Sequence, residues 1–144
     1  MSIQDILHHK SNHVVSVAPD TPVSTAALRL KAERIGALVI SSDGQHIDGI
    51  LSERDIVHGL CDHKGEVLSM PVSALMSHNV VTCTPDASVA DVMRLMTQHR
   101  VRHMPVVKGT KLFGIVSIGD VVKNRLSDME LETNVLRDYA VAHH

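Results

Sequence analysis

The sequence predicts an α/β protein of the α+β kind, built from two copies of one β-α-β-β-α unit. Three observations carry this. The chain matches itself when displaced by about 66 residues. Each copy alternates short β-branched apolar runs with helical periodicity. The core is almost purely aliphatic: Phe113 and Tyr139 are the only aromatics and there is no Trp, although 44% of the 144 residues are hydrophobic. Aliphatic, β-branched interiors suit sheets covered by helices.

The self-match is ordered along the chain. Val14-Val15-Ser16 falls on Val80-Val81-Thr82, Pro19-Asp20 on Pro85-Asp86, Val23 on Val89 and Arg34 on Arg100. Past Asp43-Gly44 the displacement drops to 65, and Gly49-Ile50-Leu51-Ser52 falls on Gly114-Ile115-Val116-Ser117, with Asp55 on Asp120. A one-residue change at a turn is what loops tolerate. Each unit opens with a short strand, Val14–Val17 or Val80–Cys83, broken by Pro-Asp. Thr21-Pro22 and Ser88 then start helices. Their apolar faces are Val23, Ala26, Ala27, Leu30 and Val89, Val92, Met93, Met96.

Two strands joined by a tight turn follow: Ala37–Ser41 and Ile47–Leu51 around Asp43-Gly44, then Met104–Lys108 and Leu112–Val116 around Gly109. A second helix closes each unit, from Glu53 to Leu60 and from Ile118 onward. The organisation is an N-terminal segment (1–13), repeat one (14–61), a linker (62–79) with a short helix at Val72–Met76, repeat two (80–126) and a C-terminal amphipathic helix (127–144). The apolar stripe of that last helix, Leu131, Val135, Tyr139 and Ala142, calls for a partner such as a second chain.

Net charge is -2, which gives no general attraction to nucleic acid or to an anionic membrane. No secretory segment and no membrane-spanning run is read, so a reduced cytoplasmic setting is expected. Cys61 and Cys83 lack metal or redox spacing. The 11 histidines include His8, His9, His13, His99, His103, His143 and His144, but none has a carboxylate or Cys partner at ligand spacing, so no metal is required. There is no nucleophile elbow, phosphate-binding Walker loop or catalytic carboxylate pair, so no enzyme is expected.

The sharpest motif is Gly49–Asp55 (GILSERD), repeated as Gly114–Asp120 (GIVSIGD), at both strand-to-helix junctions. The glycine lets another group approach the backbone. The Ser hydroxyl and the helix-start amides suit a phosphate. The Asp can accept from the paired hydroxyls of a ribose. Ser-x-x-Asp is equally a helix-capping box that needs no ligand. Arg102 and His103, just before a strand of repeat two, supply basic donors. Gly36 and Ala37 stand at their places in repeat one. Arg54 opposes the helix dipole, so either Glu53 or a bound phosphate must compensate it.

With these motifs and the run Arg100–Val107 (RVRHMPVV) on the page, the chain resembles a tandem cystathionine-β-synthase (CBS) domain pair of the stand-alone bacterial kind, over Val14 to about Leu126. The resemblance implies two repeats packed with pseudo-twofold symmetry, clefts at their interface, and a homodimer. It implies an adenine ligand: AMP foremost, with ADP, ATP, NAD(H) or S-adenosylmethionine in some members. Ser117 and Asp120, and likewise Ser52 and Asp55, would meet the sugar or phosphate. Gly114 lies in the second motif. Arg102 and His103 would meet phosphate, and the backbone of Met104 and Pro105 the base. The expected function is a nucleotide-sensing regulatory module acting on a partner protein. The alternatives are an NAD(H)-binding redox sensor and a ligand-free scaffold. Because Gly36 and Ala37 carry no charge, the phosphorylated ligand is expected with Ser117, Asp120, Arg102 and His103, and a weaker or nucleoside-like ligand in repeat one.

Overall fold

The computed structural model describes residues 1–10 and 14–142. His13, His143 and His144, weighed above as metal candidates, lie outside the described residues. In chain order the elements are α1 (Ile3–His9), β1 (Ser16–Val17), α2 (Val23–Glu33), β2 (Ala37–Ile40), β3 (Gly49–Ser52) and α3 (Glu53–His63). Two 3₁₀ turns, Lys64–Ser69 and Val72–Ala74, lead to α4 (Val89–His99), β4 (His103–Lys108), β5 (Lys111–Ser117) and α5 (Ile118–Ala142). Repeat one keeps the β-α-β-β-α order as read, with β1 shrunk to two residues; repeat two is α-β-β-α, and the linker helix is 3₁₀.

In repeat one β1 pairs parallel with β2, and β2 pairs antiparallel with β3. In repeat two β4 and β5 pair antiparallel, but the expected strand at Val80–Cys83 survives only as a parallel bridge from Cys83 to Val106. The repeat itself gives the reason. The Ser41 amide donates to Val17 and its equivalent, Val107, donates to Cys83, at 2.9 and 2.8 Å. The Val39 amide also donates to Val15 at 3.3 Å. Its equivalent is Pro105, which has no N–H, so that rung cannot form in repeat two. Gly44 and Gly109, at the tips of the hairpins, take positive φ of 75° and 66°, which their lack of a Cβ allows.

Helix ends follow the sequence too. Arg34 and Arg100 match across the repeats, and both take a left-handed C-cap conformation with φ of 53° and 56°. Helix α4 starts on Ser88, whose hydroxyl accepts from the Asp91 amide. The boundary expected near residue 127 is absent: α5 runs 25 residues without a break, because nothing between Ser117 and Ala142 is Pro and the one Gly, Gly119, lies in its first turn.

Two aliphatic cores form, and each is completed by the segment that precedes the other repeat. The repeat-one core takes Val67 and Val72 from the 3₁₀ turns. The repeat-two core takes Ile3, Ile6 and Leu7 from α1. Sequence reading assigned residues 1–13 only as an N-terminal segment, with no element in it. They instead supply a helix with three buried residues, started by a Ser2–Asp5 capping box. Burying an aliphatic side chain stabilises by about 1.5–3 kcal/mol, so α1 is an integral part of repeat two.

This crossing explains the motif glycines. A Cβ on Gly114 would lie 2.9 Å from the Leu7 side chain, and one on Gly49 would lie 2.6 Å from the Met76 sulfur and 2.8 Å from the Ser77 carbonyl. Gly114 was expected beside a ligand. The group that approaches its backbone is α1 itself.

Candidate functional site

Both Ser-x-x-Asp motifs cap their helices. The Ser52 amide and hydroxyl donate to Asp55 Oδ2 at 2.8 and 3.1 Å, and the Asp55 amide donates back to Ser52 Oγ at 3.2 Å. In repeat two the Ser117 amide donates to Asp120 Oδ2 at 2.9 Å and the Asp120 amide to Ser117 Oγ at 3.1 Å. The first amide of each helix is also taken: Glu53 donates to the Gly36 carbonyl at 3.0 Å and Ile118 to the Arg102 carbonyl at 2.7 Å. The free helix-start amides expected from sequence are thus reduced, among the described residues, to those of Arg54 and Gly119. A phosphate here would have to rely on side-chain cations.

Those cations line one cleft of about 670 Å³. Its floor is Gly36 and Ala37 at the start of β2, with Ser52, Arg54 and Asp55 at the start of α3. The facing wall comes from the other repeat: Asn79–Val81 and the Arg100–His103 run that enters β4. Arg54, Arg100 and Arg102 also line a smaller neighbouring cavity of about 400 Å³, so the three form a ridge between the two. Among the described residues none of the three holds an ion pair. Glu53, which could have compensated Arg54, does not pair with it.

Arg102 and His103 line this cleft with Ser52, Arg54 and Asp55, while His103 also pairs with Ser117 across β4 and β5 and feels the charge of Asp120. The sequence reading set the clefts at the repeat interface and grouped the basic pair with the Ser and Asp of its own repeat. The fold joins the β4 entrance of repeat two to the helix start of repeat one. Gly36 and Ala37 are floor to the same basic pair that was expected to stand in their stead. Met104 and Pro105 are fully buried in β4. The Met104 side chain belongs to the repeat-two core, and the Pro105 carbonyl accepts from Cys83 at 3.1 Å.

The two aspartates differ in their company. Among the described residues neither carboxylate accepts a hydrogen bond at Oδ1, and Asp55 lines the cleft. Asp120 Oδ2 is held by Lys10 Nζ at 2.7 Å, and Lys10 donates as well to the Ile115 carbonyl at 3.0 Å. Burial pushes the Asp120 carboxyl up, but the Lys10 ammonium and the Ser117 amide outweigh it and hold it below the usual carboxylate value. Lys10 lies 110 residues away in sequence and no local pattern points to it.

His103 is half-buried, and burial lowers its affinity for a proton. Glu53 and Asp120 push the other way, and Lys10 and Arg102 reinforce the lowering. The ring lies against Gly36, where a Cβ would stand 2.9 Å from Nε2. Burial thus favours the neutral ring, a donor or acceptor, over the cation.

The decisive comparison is with protein families. The CBS domain family model matches residues 3–62 and 72–127. The chain belongs to the CBS domain family. The first match takes in α1, whose side chains complete the core of the other repeat. Among curated relatives, the CBS domain-containing protein YhcV of Bacillus subtilis is 32% identical over 127 residues, covering 88% of this chain and 87% of YhcV. The mitochondrial CBSX3 of Arabidopsis thaliana is 34% identical over 124 residues, 83% of this chain but 60% of that protein. Among solved structures, ATU1752 of Agrobacterium tumefaciens superposes with a TM-score of 0.83 at 40% identity, covering 87% of this chain and 99% of that one. The CBS domain pair of MJ0100, solved with 5′-methylthioadenosine and S-adenosyl-L-methionine, superposes at 0.78 with 25% identity, covering 89% of this chain and 98% of that one. This CBS pair thus shares its fold with a protein that binds adenosine-containing ligands. Among the described residues no helix is long and apolar enough to cross a membrane, and no three His, Cys, Asp or Glu side chains gather as a metal site.

Proposed function

We propose that this CBS pair is a regulatory module that binds an adenine nucleotide, AMP foremost, in the cleft between its repeats. The observation that carries the reading is the arginine ridge. Three guanidiniums without anionic partners, Arg54, Arg100 and Arg102, border a cleft that also presents the open Oδ1 of Asp55. Unpaired cations so close together repel one another, and a phosphate relieves that with charge-assisted bonds. At the other end of the ligand, Asp55 Oδ1 accepts from ribose hydroxyls. The apolar stretch Val80–Val81 and Val101 borders the space left for a base. The volume falls within the 300–1,000 Å³ usual for small-molecule sites.

The first-repeat motif therefore carries the site, with Ser52 and Asp55 as sugar-side residues and Arg54, Arg102 and His103 at the phosphate. Ser117 and Asp120 form a second, weaker position, because Lys10 already occupies the carboxylate. The adenosine ligands of MJ0100 favour the same ligand class. The module works as a homodimer in the cytoplasm and passes its ligand state to a partner protein. Its surface agrees with self-association: Val57 and Leu60 on α3 and Val122 and Leu126 on α5 are 55%, 42%, 39% and 54% exposed, more apolar surface than scattered singles would give.

Thermal unfolding with AMP, ATP, NADH and S-adenosylmethionine tests the reading. AMP at 100–1,000 times its dissociation constant should stabilise by about 2.7–4.1 kcal/mol. A response to NADH above that to AMP would favour a redox sensor. No response to any of the four would leave the capping boxes as structure alone and the module as a scaffold.

A further inference from the structure

Helix α5 carries a second pattern that the nucleotide cleft does not use. From Val122 the residues Leu126, Met129, Thr133, Leu136 and Ala140 follow at alternating steps of four and three. That is the seam of a two-stranded coiled coil, with Val122, Met129 and Leu136 at d and Leu126, Thr133 and Ala140 at a. The seam is uncovered: Leu126, Met129 and Leu136 are 54%, 50% and 68% exposed, and Leu131 and Val135 of the stripe read from sequence fall outside it, at f and c. The one polar member is prepared for a dry contact, since the Thr133 hydroxyl already donates to the Met129 carbonyl at 2.9 Å and can present its methyl group.

The flanking charges choose the occupant and its direction. The e positions are Lys123, Glu130 and Arg137, and the g positions include Arg125 and Glu132. In a parallel pair each g residue meets the e residue five places on in the other copy. Arg125 then faces Glu130, and Glu132 faces Arg137, so every such pair is attractive, twice over by symmetry. In an antiparallel pair with full overlap, Glu130 would face its own copy and Lys123 would face Arg137. Sliding by a heptad to avoid this would leave Val122 or Leu136 without a partner. We infer that α5 pairs with α5 of a second copy of this chain as a parallel coiled coil over residues 122–140. This rests on the self-association proposed above and adds its direction and its seam. So short a seam is marginal alone. It therefore extends the self-association proposed above and does not replace it.

A cysteine test separates the possibilities. Cys61, which is exposed, is first replaced by Ser in the full-length chain. Leu136→Cys in that background puts a thiol at d, where a parallel pair brings the two copies within disulfide reach. Mild oxidation should give a covalent dimer, while Asn134→Cys, on the outer face, should not. The charge pairs are tested by sedimentation equilibrium. Glu130→Lys should weaken dimerisation roughly tenfold by turning two attractive pairs repulsive, and Arg125→Glu added to it should restore most of the loss. A wild-type dimer in which Leu136→Cys fails to cross-link, or in which Glu130→Lys has no effect, overturns the parallel seam and leaves self-association standing. A wild-type monomer at micromolar concentration overturns both.

Discussion

The substitution Asp55→Asn separates the two roles that one carboxylate has in this protein. Asp55 Oδ2 accepts from the Ser52 amide at 2.8 Å and from the Ser52 hydroxyl at 3.1 Å, which closes the capping box of α3. Asn keeps a carbonyl oxygen for those contacts and forfeits only the charge near the helix start, about 0.3–1 kcal/mol. The free Oδ1 is different, because in Asn that position becomes an NH2 donor. A ribose hydroxyl there loses a charged acceptor, a loss of about 1.5–3 kcal/mol, or roughly ten- to a hundredfold in affinity. Asp120→Asn should alter AMP binding less than threefold, because the Lys10 ammonium already holds that carboxylate. Titration calorimetry with AMP reads the affinities, and urea unfolding reads the stabilities. If Asp55→Asn binds within twofold of wild type while Asp120→Asn loses tenfold, the site has been assigned to the wrong repeat.

Three further outcomes follow from the same geometry. Gly36→Ala sets a methyl group 2.9 Å from His103 Nε2; the ring must move, and AMP affinity should fall several-fold with a stability loss of about 1 kcal/mol, read by calorimetry and urea unfolding. Lys10→Met removes a partly exposed pair, 36% and 28% accessible, so solvent screening limits its cost to about 1 kcal/mol at pH 7. The folded Asp120 carboxyl titrates below its ordinary value of 3.8, so the pair stabilises fully above that value and loses its effect as pH falls through the folded one; the gap between wild type and Lys10→Met should close on acidification, and a gap constant down to pH 3 would contradict the pairing. Burial depresses His103 below the free-imidazole range, so the affinity of wild type relative to His103→Gln should be flat from pH 8 to pH 7 and rise only below about pH 6.5; a rise already complete at pH 7 would show a charged ring.

What could be read from the chain and what could not divide along one line, the range of the interaction. The repeat, the element order, the caps on Ser52 and Ser88 and the turns at Gly44 and Gly109 are local. Their physics lies within a few residues, so pattern alone placed them. The loss of the first strand in repeat two was legible as well, since aligning Val39 with Pro105 already removes a ladder donor. The N-terminal segment and the motif glycine involve contacts that cross between repeats. Residues 3–9 looked like a lead-in because Ile3, Ile6 and Leu7 find their burial beside Val89, Val92 and Met96, and nothing nearby in sequence reports it. Gly114 looked like a ligand's point of approach because a close contact demands glycine whatever the group is, and the group proved to be Leu7.

The same crossing redraws the candidate site. A tandem repeat invites the assumption that each copy carries its own cleft, and on that assumption Arg102 and His103 belong with Ser117 and Asp120. Yet the Arg102 carbonyl accepts from Ile118 at 2.7 Å while the Gly36 carbonyl accepts from Glu53 at 3.0 Å. Each strand entrance is thus tied by its backbone to the helix start of its own repeat. Only the side chains turn across the interface, so that the Arg100–His103 run faces Ser52, Arg54 and Asp55. The repeats therefore share a backbone plan but not a charge plan. Asp55 lines the cleft that three arginines border, and Asp120 is paired with a lysine from the far end of the chain. On the function proposed here, the first-repeat position takes the anionic ligand and the second carries an internal salt bridge. That asymmetry is a property of the folded pair, and it disappears when either repeat is considered alone.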